Sequence, residues 1–222
     1  MPSKPSIKGS IFSRAIDDVQ KLIERGEITR DGLSRWLEPG DLDYFERSIS
    51  LTDWCCIRSY TRLLELLREV EGEGSNEYLR RRGSRSAEEL LDAGLYQQLE
   101  YLNRTQVKKQ TDPNARYDAF GRDLRLLTTV SSSILSFSRW SSMPDPDYAN
   151  RYIIEISEAS DFPDALGWSS EGFVNRMATQ HGDPDLFAEF ADIDPTAWVA
   201  GQCDDPLAVD MDGVGRFSRR LV

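Results

Sequence analysis

The sequence predicts an α+β fold in which a helix-rich N-terminal half packs on a small antiparallel sheet of about four strands supplied by the C-terminal half. Three observations carry this expectation. Apolar residues recur at helical spacing through most of residues 1–143. The stretch Met143-Pro144-Asp145-Pro146-Asp147 then interrupts that texture. Beyond it, Arg151-Tyr152-Ile153-Ile154-Glu155-Ile156-Ser157 is β-rich and alternates, with Tyr152, Ile154 and Ile156 on one face. Neither side of the break closes a core alone, so residues 1–222 read as one domain: a mainly helical part (1–143), a strand–helix–hairpin part (144–213) and a tail (214–222).

Taken in order, Ile7, Ile11, Ala15, Ile16, Val19, Leu22 and Ile23 mark an amphipathic helix that Gly26 ends. Thr29 and Asp31 offer N-caps for a short helix through Trp36-Leu37, which Pro39-Gly40 stops, and Asp41 can cap another over residues 42–45. Asp53 is the expected N-cap of a helix carrying Trp54, Ile57, Tyr60, Thr61, Leu64, Leu67 and Val70, with Cys55 and Cys56 in its first turn. Residues 77–82 make a turn or two, Gly83 breaks them, and Ser86 opens a long helix through Leu102. Helical spacing returns at Tyr117, Phe120, Leu124, Leu127 and Val130, whereas residues 133–140 alternate as a first strand. After the strand at 151–157 come a helix over residues 161–181, a short helix near 184–190, a hairpin over 196–211 and a basic tail from Arg216.

Charge bounds the function. The net charge of -11 is uneven: residues 1–150 hold 22 basic and 24 acidic side chains, and 151–222 hold 5 and 14. An acidic surface repels phosphate backbones and anionic lipids, which argues against nucleic-acid or membrane-surface binding. No apolar run reaches the ~20 residues of a membrane span, and the first residues lack a signal-peptide core, so a cytoplasmic location is expected. Three cysteines, at 55, 56 and 203, make no disulfide framework.

Chemical motifs are sparse. The single histidine, His181, stands before Gly182 where it can answer a helix dipole; acid–base or haem-ligating work is the other reading. Cys55-Cys56 at a helix start could carry a lowered pKa, or could simply pack beside Trp54 and Ile57. Glu155 with Glu158, Asp183 with Asp185, and Asp192 with Asp194 could form a carboxylate pair or hard-metal site, and Asp204-Asp205 with Asp210 and Asp212 resembles a fragment of a calcium loop, but acidic surface explains them all. Arg80-Arg81-Arg82 with Arg85, Lys108 and Lys109 is flanked by Glu77, Glu88 and Glu89. No nucleophile elbow occurs, and Gly213 and Gly215 make no phosphate loop.

The order of elements, with Lys8-Gly9-Ser10, a helix expected from Trp54, Gly167-Trp168, Gly172-Phe173 and a closing hairpin, resembles a broad bacterial group. It comprises vinyl-reductase-type small-molecule-binding domains, haem-NO-binding-like domains and myxobacterial relatives. The resemblance covers nearly the whole chain and implies a sensor or adaptor that holds an apolar ligand between helices and sheet. Some members carry a cysteine-rich zinc site near the closing hairpin; this chain has only Cys203 there, too few ligands for a four-coordinate shell. Haem would rest on His181 alone. No metal or cofactor is therefore expected.

Aromatic residues supply the pocket candidates: Trp54, Tyr60, Phe137, Trp140, Tyr152, Trp168 and Phe173 lie on elements expected to face one another. The leading expectation is a non-enzymatic sensor or adaptor that binds a small apolar ligand. The alternative is a homodimeric interaction module that uses its amphipathic helices and the tail residues Arg216, Phe217, Arg219, Arg220 and Leu221. An enzyme built on the carboxylates or Cys55-Cys56 ranks third.

Overall fold

The computed structural model of the chain describes residues 4–92, 113–146, 151–158, 162–178 and 215–220. It is α+β, helix-rich with small antiparallel sheets. The chain divides into two compact units: Met1–Ser84, Ile134–Phe137 and Asp161–Phe173 form unit 1, and Arg85–Ser133, Ser138–Ser160 and Val174–Val222 form unit 2.

Unit 1 opens with a short strand, β1 (Ser6–Lys8), that runs straight into helix α1 (Gly9–Glu24). Ile7, expected in the helix, sits in β1 opposite Cys55 of β2 (Trp54–Cys56). Helix α1 buries Ala15, Ile16, Val19 and Leu22 of the face its periodicity predicted, together with Phe12, while Ile11 and Ile23 are half-buried. Gly26 ends it with φ +74, donating its N–H to the Ile23 carbonyl. A 3-10 turn, Asp31–Arg35, follows, its Gly32 amide held by the Thr29 hydroxyl.

Helix α2 (Pro39–Glu46) begins at the Pro-Gly pair expected to act as a stop. Proline at the first helical position loses nothing, because that N–H has no intrahelical partner anyway. Asp41 is the third residue of this helix rather than its cap, and its carboxylate accepts the Glu38 N–H at 2.8 Å.

The expected helix start at Asp53 is also displaced. Asp53 accepts the Ser50 N–H with its side chain and the Gly9 N–H with its carbonyl, which holds residues 54–56 extended against β1. Helix α3 (Ile57–Val70) therefore starts after both cysteines, and buries Ile57, Tyr60, Leu63, Leu64, Leu66 and Leu67. A Cβ on Gly9 would overlap the Ser50 carbonyl oxygen, so the loop crossing here requires glycine.

Helix α4 (Asn76–Asp92) continues through Gly83, where a break was expected. The glycine permits close approach instead. Within unit 1, a Cβ on Gly83 would overlap the carbonyl oxygen of Ser169, and one on Gly172 would overlap that of Arg80. Both partners belong to the crossing of α4 with α6 (Asp164–Ala178). Residues 134–137 complete unit 1: Leu135 bridges to Ile7, and the Ser136 amide and hydroxyl bond Ser6.

Unit 2 is built on helix α5 (Pro113–Ile134) and a three-stranded antiparallel sheet in the order β3 (Arg139–Pro144), β4 (Arg151–Ser157), β5 (Gly215–Arg220). The Thr- and Ser-rich run at 128–133 stays helical because its hydroxyls turn back onto the helix. Thr128 and Thr129 donate to the Arg125 carbonyl, Ser132 to that of Thr128 and Ser133 to that of Val130. The first strand expected at 133–140 is thus β3, shifted toward the C-terminus and running through Met143-Pro144. Strand β4 matches expectation, with Tyr152, Ile154 and Ile156 buried.

Residues 215–220, expected as part of the tail, pair with β4 as β5. The described strands thus form one sheet of two and one of three, not a single sheet of about four. The expected hairpin at 196–211, the short helix at 184–190, the helix extension through residue 102 and His181 lie outside the described residues. No described helix is long and apolar enough to cross a membrane.

Gly83→Ala tests the crossing. In an open helix the change gains about 1 kcal/mol of propensity, whereas forced overlap with a backbone carbonyl costs about 3 kcal/mol, the upper end for overpacking. Urea denaturation should therefore show a net loss of about 2 kcal/mol. Gly40→Ala, which meets nothing within 4 Å, should be neutral or stabilising. Equal midpoints for both variants would contradict the packing argument.

Candidate functional site

Electrostatics in unit 1 centre on Arg82, whose side chain is 13% exposed. It donates to Asp18 of α1 and bonds the hydroxyls of Tyr60 and Tyr78. Tyr78 in turn donates to Glu71, which also takes Arg25. Burial by itself would raise the Asp18 and Glu71 carboxyls, but hydrogen bonds from Lys21 and Arg82, and from Tyr78 and Arg25, outweigh it and hold both below the carboxylate range. Burial pushes the Tyr60 and Tyr78 phenols up.

A second buried pair ties α2 to α3. Arg62 reaches Asp41 through Nε at 2.6 Å and Nη2 at 2.9 Å. Burial opposes the Asp41 charge, yet hydrogen bonds from Arg62 and Ser59 outweigh it and the pKa falls. Burial also pushes the Cys55 thiol up, and its strand position removes the helix-dipole activation the sequence allowed. These groups all move away from neutrality, whereas general acid–base catalysis calls for a pKa near the working pH.

The seven aromatic candidates divide between the units. In unit 1, Trp54 lies under the Lys8 ammonium, 3.9 Å from the ring centroid. Tyr60 is buried beside Phe12. The Phe137 ring lies 6.1 Å from Phe162. Trp168 lies under the Arg80 guanidinium at 4.4 Å, which Glu171 also holds. Phe173 follows Gly172 at the helix crossing and is half-buried. Packing and cation–π contacts engage these residues.

Unit 2 brings the other two candidates, Trp140 and Tyr152, into one helix–sheet layer. Tyr117, Phe120, Gly121 and Leu124 fall on one face of α5 by their spacing. Opposite, β4 presents Tyr152, Ile154 and Ile156, whose register partners on β3 are Pro144, Ser142 and Trp140. Phe120, Leu124, Tyr152 and Ile154 form a buried cluster, with Tyr117, Trp140 and Val174 of α6 packed partly buried against it. The Tyr152 ring stacks on Tyr117 with centroids 4.4 Å apart at 28°, and meets Phe120 edge-on at 6.0 Å and 86°.

Gly121 sets that depth, since a Cβ there would overlap the Tyr152 ring and hydroxyl. Burial, then the neighbouring Tyr152, pushes the Tyr117 phenol up to about 12, and burial raises Tyr152 as well. The indole N–H of Trp140 donates to Ser138 and its amide to Ser132. Ser142 Oγ is buried on the same strand and has no hydrogen-bond partner among the described residues.

The layer presents aromatic and apolar side chains with few polar groups among them. Tyr117 and Phe120 carried a helical period in the sequence, but Gly121 and Ser142 had no local signal, because both matter only through contacts set by strand register. Among the described residues no cluster of histidine, cysteine or carboxylate side chains could hold a metal ion. Comparison with family models, curated proteins and solved structures returned no match.

Asp41 supplies a pH prediction. Its folded pKa lies below 3.8, so its stabilising contribution is full above the unfolded value and is lost as pH falls through the folded one. At pH 7, Asp41→Asn should cost about 2–3 kcal/mol, because it removes the buried one of the two carboxylates on Arg62 and leaves only the exposed Glu38. Denaturation curves of wild type and variant should converge below the folded pKa. A gap that stays constant down to pH 2 would show that the pair carries no charge-dependent stability.

Proposed function

We propose that the chain is a non-enzymatic sensor or adaptor domain that holds a small apolar ligand against the α5-facing side of the β3–β4–β5 sheet. The observation that carries this is the aromatic layer of Tyr117, Phe120 and Tyr152, beside which Trp140 and Val174 are only partly buried. Apolar side chains left part-exposed beside a packed aromatic cluster favour uptake of an apolar molecule over water. The resemblance to vinyl-reductase-type domains supports the same class of ligand. The shifts away from neutrality at Asp18, Asp41, Glu71, Tyr60, Tyr78 and Cys55 support a non-catalytic role.

The rival reading, a homodimeric interaction module that uses its amphipathic helices and the tail, draws less on the tail because residues 215–220 are engaged as β5. The outer edge of β3 is also poorly suited to pairing with a second copy. Ser132 takes the Trp140 amide, and Pro144 has no N–H to give.

The probe N-phenyl-1-naphthylamine, a neutral dye that brightens in apolar surroundings, tests the reading by fluorescence titration. Wild type should bind it saturably, and Val174→Trp, which fills space beside the cluster, should weaken binding at least about tenfold while the protein stays folded by circular dichroism. Dye binding unchanged in folded Val174→Trp, or no binding by wild type, would count against the ligand.

A further inference from the structure

Ser142 stands on β3 between Trp140 and Pro144, opposite Ile154, on the sheet face that carries Tyr152 and Ile156. The neighbouring serine hydroxyls are in use. Ser132 accepts the Trp140 amide and donates to the Thr128 carbonyl, and Ser138 accepts the Trp140 indole N–H. Ser142 Oγ, by contrast, is buried with no partner among the described residues. A buried hydroxyl that makes no bond is destabilising, and such an atom in a folded protein calls for a reason.

We propose that Ser142 is the polar determinant of the ligand site: it pairs with a single hydroxyl or carbonyl oxygen on an otherwise apolar, uncharged ligand. This rests on the apolar-ligand reading above and names the class of molecule that fits it. The same-face neighbours Trp140, Ile154 and Ile156 carry no charge to balance an ion beside the hydroxyl, which favours an uncharged ligand. One hydroxyl on an apolar face gives selectivity, because a ligand lacking the polar atom leaves that hydroxyl unpaired in the complex.

The test compares 2-naphthol with naphthalene, which share a ring system and differ by one hydroxyl. Wild type should bind 2-naphthol about tenfold more tightly than naphthalene, the worth of one net hydrogen bond. Ser142→Ala should abolish that preference and leave naphthalene affinity unchanged. Without ligand it should raise Tm by about 2–4 °C, because an unsatisfied polar atom has been removed. A preference that survives the substitution, or equal binding of both probes by wild type, overturns the role of Ser142 while the apolar-ligand reading stands. Failure of both probes to bind overturns the two together. A lower Tm for Ser142→Ala shows the hydroxyl already bonded in the free protein, and also overturns the assignment.

Discussion

Arg82 places a permanent cation inside unit 1, and the helices around it are arranged so that the charge is answered. Asp18 comes from α1, Tyr60 from α3 and Tyr78 from the first turn of α4, the helix that carries Arg82 itself. A guanidinium is always protonated at accessible pH, so burial leaves it no escape by neutralisation. The apolar packing of Phe12, Leu22, Leu63, Leu64 and Leu67 supplies most of the driving force. The ion pair selects which of many apolar packings is adopted, because any shift of α1 against α4 strands a buried charge. Asp41 and Arg62 do the same for α2 and α3.

Legibility in the sequence follows the range of the interaction. The helices whose apolar face alternates every three or four residues, α1 and α3, were readable, as was β4 with its alternation of Tyr152, Ile154 and Ile156. The strand at 54–56 was not. Three residues give no periodic signal, and only pairing with residues 6–8 and the capture of the Gly9 amide by Asp53 keep them extended. Glycine misled twice in related ways: Gly40 sits inside a helix start and Gly83 inside a helix, and the reason for Gly83 is a carbonyl from a segment 86 residues away, 169 less 83. The first strand expected from residue 133 begins later because the hydroxyls of the Thr and Ser run before it find helical carbonyls.

The residues that carry the family resemblance prove to have packing work. Gly9 admits the Ser50 carbonyl, Gly172 admits that of Arg80, Trp54 seats Lys8 and Trp168 seats Arg80. These requirements can persist in a fold whatever it binds, so they speak to architecture rather than to ligand. The candidate site instead gathers Trp140 and Tyr152, expected as pocket candidates, with Tyr117 and Phe120, expected only as part of a helix, and Gly121 and Ser142, which carried no signal. An aromatic residue announces its presence in a sequence but not the face it shares, and the strand register decides that.

The central proposal is that, of the four tryptophans in the described residues, Trp140 lies at the ligand, whereas Trp36, Trp54 and Trp168 lie outside the site. Fluorine NMR of protein labelled with 5-fluorotryptophan, each resonance assigned by single Trp→Phe substitution, addresses it in one titration with N-phenyl-1-naphthylamine. The account predicts that the Trp140 resonance moves progressively to saturation while those of Trp36, Trp54 and Trp168 stay fixed. Movement of Trp54 or Trp168 with Trp140 unchanged would contradict it.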